Sequence, residues 1–259
     1  MTLADVSLIV TAGFRPGYLN NFLLGAKKFI PEAKIIVVND DNYPSYYQQN
    51  LPPNTIWEQV PYDTFLTRKR NLAVQLIDTK YAVLMADDFL INSDARRTLI
   101  KMLNILDMYS QPDIIAGTFN DRPYEGYLEI RDGEYIREIP LDVKTAVPFS
   151  LFKNYYIKNL YQVDIAANFF MARTKLLRQV PWDETIGPIG GEHADWFLDV
   201  KAAGGVVVWT HGLNIYEQPK NLDMESPDYG RMRHRVWEGH KLFLAKRGVK
   251  RYIQFGEQP

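Results

Sequence analysis

Three apolar runs near the N-terminus, each ending abruptly in polar residues, constrain this chain most. Val6-Ser7-Leu8-Ile9-Val10 ends at Thr11, Lys34 to Val38 ends at Asn39-Asp40-Asp41-Asn42, and Tyr81 to Met85 is followed by Asp87-Asp88. Between the first two, Leu19, Phe22, Leu23, Ala26 and Phe29 recur at helical spacing after the turn Arg15-Pro16-Gly17. A second helix is predicted from about Leu66 to Ile77, and residues 55–60 supply a further strand. Short continuous apolar runs are strands buried on both faces, and their alternation with helices predicts a mostly parallel sheet covered on both sides. Ligands of such sheets bind beyond the carboxyl ends of the strands. Candidate site residues are therefore Thr11, Arg15, Asp40, Asp41, Asp87 and Asp88.

The pattern then becomes more β-like. After a predicted helix from Ser93 (its N-cap) to about Tyr109 come a strand over 113–119 and a hairpin turning at Asp132-Gly133. An apolar run spans 167–172, a helix spans 192–203 and stops at Gly204-Gly205, and a strand follows over 206–210. Residues from about Asp228 to Arg247 are helical and basic. No repeat or linker interrupts the chain, so a single domain is expected. The absence of cysteine removes disulfides, thiolate zinc sites and cysteine nucleophiles together. No apolar run reaches the roughly 20 residues of a membrane span, and the first residues carry no secretion signal, so a cytoplasmic location is expected. A net charge of −1 argues against broad nonspecific binding to nucleic acid, though not against a local patch.

Adjacent carboxylates at Asp87-Asp88 repel each other, and a hard divalent cation relieves that repulsion while phosphate oxygens fill its remaining positions. The same pair also suits a solvated turn that caps the next helix. Arg70, one helix upstream, is a bidentate phosphate donor or one charge in the surface run Arg68-Lys69-Arg70. Asp40 or Asp41 offers an acceptor for a uracil N3–H. Farther on, Gly190-Gly191 opens a helix on which Glu192, Asp195 and Asp199 share one face. A carboxylate in a first turn is held ionised by the helix dipole, as a general base requires, and acidic helix starts also serve stability alone. His211 ends an apolar strand and offers an imidazole ligand or a structural hydrogen bond. Neither a P-loop nor G-x-G-x-x-G is present.

Three stretches carry a family resemblance. They are Arg70-Asn71-Leu72-Ala73 with Thr79-Lys80-Tyr81 and Asp87-Asp88-Phe89; Asn168-Phe169-Phe170-Met171-Ala172-Arg173-Thr174; and His193-Ala194-Asp195-Trp196-Phe197-Leu198-Asp199. Their order and spacing over about 65 to 200 resemble the GT-A glycosyltransferases, those of glycosyltransferase family 2 and its relatives. The catalytic domain of the ganglioside-type β-1,4-N-acetylgalactosaminyltransferases is similar. The resemblance implies an α/β, Rossmann-like GT-A fold with a smaller β-rich acceptor-side portion. It divides the chain into a nucleotide-binding half (1–92), an acceptor half (93–222) and a basic helical segment (223–259).

The function implied is inverting, metal-dependent transfer of a sugar from a UDP-linked donor to an acceptor hydroxyl. By position, Asp88 would bind Mn²⁺ or Mg²⁺, Thr11, Arg15, Asp40 or Asp41 and Asp87 would meet the nucleotide, and Arg70 would face the diphosphate. Asp195 would deprotonate the acceptor, while Gly191, Glu192 and Trp182 would meet donor sugar and acceptor. Two departures stand out. Ala86 replaces an acidic residue frequent in the family, and the late metal-binding histidine has only His211, which arrives early, or Tyr216 in its place. A non-catalytic sugar-nucleotide or glycan-binding module is therefore a second reading. Between Arg231 and Arg251, eight Lys or Arg face one acid, Glu238, with Trp237 and Tyr252 interleaved. That composition fits a phosphate-tracking surface, hence a DNA acceptor such as a hydroxymethylated base, or a solvated basic helix facing a glycan.

Overall fold

A computed structural model describes residues 2–42, 51–122, 124–152, 155–221 and 225–257. Strands β1 (Val6–Ala12), β2 (Lys34–Asn39), β3 (Thr55–Gln59) and β4 (Tyr81–Ala86) form its first half with helices α1 (Pro16–Phe29) and α2 (Leu66–Gln75). Helix α3 (Ser93–Met108) leads into β5 (Ile114–Phe119), the hairpin β6 (Gly126–Arg131) and β7 (Tyr135–Pro140), then β8 (Pro148–Phe152), β9 (Tyr155–Val163) and β10 (Phe170–Arg173). The remaining elements are α4 (Thr174–Gln179), α5 (Glu192–Ala202), β11 (Val207–Ile215), α6 (Pro227–His234), α7 (Val236–Arg247) and β12 (Arg251–Ile253).

The main sheet has nine strands in the order β3-β2-β1-β4-β10-β5-β11-β9-β8. The first four are parallel, β10 runs antiparallel between β4 and β5, and β11 is again parallel to β5. Alternation along β1 shows how the layers are built. Leu8 and Val10 point to one face, where α1 (Leu19, Phe22, Leu23) and α3 (Leu99, Met102, Leu103) cover them. Ile9 points to the other, against Ala73 and Val74 of α2 and Trp196, Phe197 and Val200 of α5. A smaller sheet, β12-β7-β6, lies beside the main one.

The predicted N-cap of α3 moves by one residue. Asn92, not Ser93, accepts from the backbone N–H groups of Asp94 and Ala95 at 2.9 and 3.0 Å. The basic stretch predicted as one helix breaks at Arg235 into α6 and α7. Among the described residues, no helix is long and apolar enough to cross a membrane.

Candidate active site

The chain turns outward from β1 to β2 and β3 on one side and returns to β4 on the other. This reversal leaves a crevice at the carboxyl ends of β1 and β4, where the strands' loops part. A cavity of about 610 Å³ opens there. The loop after β1 (Gly13, Phe14, Arg15) and the turn after β4 (Ala86 to Phe89) form one side. Lys69, Arg70 and the loop Pro188 to His193 form the other, and Tyr229, Met232, Arg233, Val236 and His240 of α6 and α7 complete the wall.

Arg15 lies between the two carboxylates that follow β4 and ion-pairs with both Asp87 and Asp88. Burial opposes its charge, but the two carboxylates outweigh burial and hold the guanidinium protonated. Its planar group also stacks over the Tyr229 ring at 4.9 Å. Asp87 is buried, and that burial pushes its carboxyl up to about 6 despite Arg15. One oxygen of Asp88, Oδ1, is buried without a hydrogen-bond partner. At the end of β2, Asp40 accepts from Lys69 Nζ at 2.9 Å, and the same ammonium donates to the Ala12 carbonyl at 2.9 Å. Burial raises the Asp40 pKa against this partner. Gly13 is required here, since a Cβ on it would come within 2.0 Å of Asp40 Oδ1.

Arg70 is buried on α2 over a pile of aromatic rings. Its guanidinium sits 5.5 Å above Trp182, which stacks on Trp196 at 4.5 Å, which stacks on Phe170 at 5.2 Å. Nη2 donates to Asn168 Oδ1 at 3.2 Å, whereas Nε and Nη1 have no hydrogen-bond partner. Nη1 lies 3.8 Å from Glu192 Oε1, and Oε2 of that carboxylate accepts from the Gly190 N–H at 2.7 Å. Beside it, His193 donates through Nε2 to the Ala166 carbonyl at 2.5 Å. Burial first, and then Arg70, push the imidazole down to about 4, so it is neutral at pH 7.

Most of the sequence-derived site residues converge on this cavity: Thr11, Arg15, Asp40, Arg70, Asp87, Asp88, Gly191 and Glu192 all line it. Four do not. Asp195 is turned away, 1% exposed, and held by Lys246 Nζ at 2.8 Å and Arg247 Nε at 2.7 Å. Its carboxylate joins α5 to α7 and is not part of the cavity wall. Asp41 is buried behind Asp40, where it accepts from Asn39 Nδ2 at 2.9 Å. Trp182 is buried beneath Arg70 and is not part of the cavity wall.

His211 sits exposed on a bulge of β11, edge-on to Trp209 at 4.5 Å and off the cavity wall. Tyr216, the other candidate for the late ligand, donates to Asp121 at 2.9 Å, also off the wall. Among the described residues, no cluster of three or more His, Cys, Asp or Glu forms a ready-made metal cage. Gly190 and Gly191 line the cavity and also make room for α7. Both have positive φ, and added Cβ atoms would meet the Val236 carbonyl at 2.3 Å and Phe243 at 2.6 Å.

Among the wall residues, Lys69, His193, Glu217 and Tyr229 were not singled out for the site from the sequence, whereas Arg233 belongs to the basic segment read there as an acceptor surface. Glu217 had no signal of the kind that Asp40 and Asp87 give, because the second half of β11 carries polar residues and Tyr216 separates the strand from it. Among the described residues, six carboxylates face four Lys or Arg on this wall, so these side chains carry net negative charge when all are ionised.

No family model matches the chain. β-1,4 N-acetylgalactosaminyltransferase 1 of Rattus norvegicus is 26% identical over 204 residues, covering 75% of this chain and 36% of the rat protein. β-1,4 N-acetylgalactosaminyltransferase 2 of Mus musculus is 23% identical over 205 residues, with the same 75% and 36% coverage. The chain thus spans 36% of the length of these relatives. Among solved structures, residues 1–349 of TarS from S. aureus in complex with UDP-GlcNAc superpose with a TM-score of 0.55 at 16% identity. That match covers 85% of this chain and 59% of the TarS chain. The UDP complex superposes at 0.54 and 16% identity, covering 96% and 67%. The GT-A glycosyltransferase resemblance read from the sequence is borne out at the level of fold and remote sequence similarity.

Proposed function

We propose that the chain transfers a sugar from a UDP-linked donor to an acceptor hydroxyl, assisted by a divalent cation and with inversion at the anomeric carbon. One observation carries this reading. The TarS fold, whose solved complexes hold UDP and UDP-GlcNAc, superposes on a chain whose cavity gathers Asp87, Asp88, Arg70 and Glu192 at the carboxyl ends of β1 and β4.

Charge explains why a cation belongs to the reading. A diphosphate entering a wall with more carboxylates than cations is repelled unless a cation comes with it. Adjacent Asp87 and Asp88 would hold Mg²⁺ or Mn²⁺ through hard carboxylate oxygens, among them Asp88 Oδ1, which has no hydrogen-bond partner. When bound, such an ion supplies Lewis-acid neutralisation of the charge on the departing diphosphate. The Ala86 side chain contributes no donor, and His211 and Tyr216 lie outside the cavity wall, so among the described residues Asp87 and Asp88 are the adjacent carboxylates that would hold the ion.

The remaining roles belong to side chains already in place. Thr11 and Asp40, at the ends of β1 and β2, meet the nucleoside. Arg70, whose Nε and Nη1 have no hydrogen-bond partner, meets the diphosphate with the aromatic pile beneath it. Glu192 takes the proton of the attacking hydroxyl, in the role that the sequence resemblance assigned to Asp195. One displacement suffices, so no second carboxylate nucleophile is required.

The test is calorimetry with UDP, with and without Mn²⁺, followed by mass-spectrometric detection of UDP released from a panel of UDP-sugars. Expected are Mn²⁺-dependent UDP binding and release from at least one donor. Glu192→Gln should lower kcat by roughly 10²–10⁴-fold with UDP affinity unchanged. No UDP binding under any metal condition refutes the reading, and a product that keeps the donor's anomeric configuration refutes the single displacement.

A further inference from the structure

The basic segment 231–251 loses its phosphate-tracking character once it is folded. Arg231 pairs with Asp228, Arg235 with Asp63 at 2.5 Å and Glu238 at 3.1 Å, and Lys246 and Arg247 with Asp195 and Asp199. Tyr252 is drawn inward, where its hydroxyl donates to Glu138. Trp237 does the opposite. It is 72% exposed, the highest value among the exposed large hydrophobic side chains of the described residues.

The position of that indole is informative. Trp237 lies in the first turn of α7, next to Val236 and one turn before His240, both of which line the cavity. Its ring meets the His240 ring edge-on, with centroids 5.7 Å apart and planes at 88°. The Val236 carbonyl in turn packs on Gly190, so tightly that a Cβ there would come within 2.3 Å. Trp237 therefore stands on the rim of the cavity, on the side where the loop carrying Glu192 enters. Arg233 is exposed on the same wall.

We propose that Trp237 is the stacking platform of an acceptor subsite, and that the acceptor is a saccharide. This inference rests on the transferase reading for the direction of approach. A pyranose has an apolar C–H face and a hydroxyl edge. An exposed indole offers a flat apolar surface to the first, and Arg233 offers N–H donors to the second. A nucleic-acid backbone instead needs a row of uncommitted cations, and the ion pairs of α6 and α7 commit half of the eight candidates.

The indole N–H resonance of Trp237, assigned by its loss in Trp237→Phe, provides the readout. Wild-type protein in UDP and Mn²⁺ is titrated with lactose, chitotriose and maltotriose to tens of millimolar, and separately with a short DNA duplex. At least one saccharide should shift the resonance, and Trp237→Ala should weaken that saccharide by about tenfold with UDP affinity unchanged. The proposal is overturned if none of the three saccharides moves the resonance, or if the duplex moves it with steep salt dependence. Loss of UDP binding by the wild type would instead count against the transferase reading, and the saccharide titrations without UDP would still decide this one.

Discussion

Replacing Asp195 by Asn separates the geometry from the family resemblance. Its carboxylate is 1% exposed, while its partners Lys246 and Arg247 are 28% and 21% exposed. Contacts of 2.8 Å to Lys246 Nζ and 2.6 Å to Arg247 Nη2 make it the acidic centre of the α5–α7 junction. Removing one partner of a fully buried ion pair costs about 3–5 kcal/mol, and of an exposed pair about 0–1 kcal/mol. Both cations keep Asp199, and Lys246 also keeps Asp183 at 2.8 Å, which shields them from complete loss. The cost is therefore about 2–3 kcal/mol, which for a chain of this size lowers Tm by about 5–10 °C. Circular-dichroism melts and UDP release at a temperature where both proteins are folded measure the two quantities separately. Tm should fall by that amount while kcat stays within about threefold of wild type. An unchanged Tm with kcat reduced by about a hundredfold or more would place Asp195 at the reacting hydroxyl and refute the site described above.

Asp88→Asn should weaken Mn²⁺-dependent UDP binding by at least about tenfold, read by calorimetry with and without the metal, because it removes one of two adjacent carboxylates. Gly191→Ala should destabilise the protein by about 1–3 kcal/mol in urea unfolding, since φ is +81° and the new Cβ would meet Phe243 at 2.6 Å. Acidification should expose His193, whose imidazole is held near 4 when folded and returns to its ordinary value when unfolded. The unfolded chain then binds the extra proton first, so this contribution is complete above the ordinary histidine pKa and is lost as pH falls toward 4. Wild type should thus lose about 2 kcal/mol more than His193→Gln between pH 7 and pH 5. Asp87 and Glu125, raised by burial to about 6 and about 7, act with the opposite slope in both proteins and cancel in that comparison.

The half of the site built from β1, β2 and β4 was legible because each strand announces its own end. An apolar run that stops at Thr11, Asp40 or Asp87 needs no distant partner to be recognised, and parallel pairing brings those ends to one edge. Arg70 was readable as a phosphate donor by type and position, but what holds it was not. Trp182 is far away in sequence, and its stacking on Trp196 and under Arg70 appears only when α2 and α5 pack on the same face of the sheet. The antiparallel insertion of β10 between β4 and β5 was likewise invisible, since Phe170-Met171-Ala172 is apolar in either strand direction.

Choosing between Glu192 and Asp195 depends on the last quarter of the chain. The two carboxylates are one turn apart on α5, and the helix dipole favours both, so neither periodicity nor charge ranks them. α7 makes the difference when it settles across α5. Gly239 of α7 lies so close to the Gly190 loop that a Cβ would meet the Ile189 and Gly190 carbonyls at 2.2 and 2.3 Å. This approach fixes the loop and leaves Glu192 facing the cavity, while Lys246 and Arg247, at the other end of the same helix, close over Asp195. One helix thus leaves one carboxylate on the cavity wall and draws the other into ion pairs, although the sequence presents the two residues as equivalents. The basic residues that look like a surface for nucleic acid are in good part the instrument of that division.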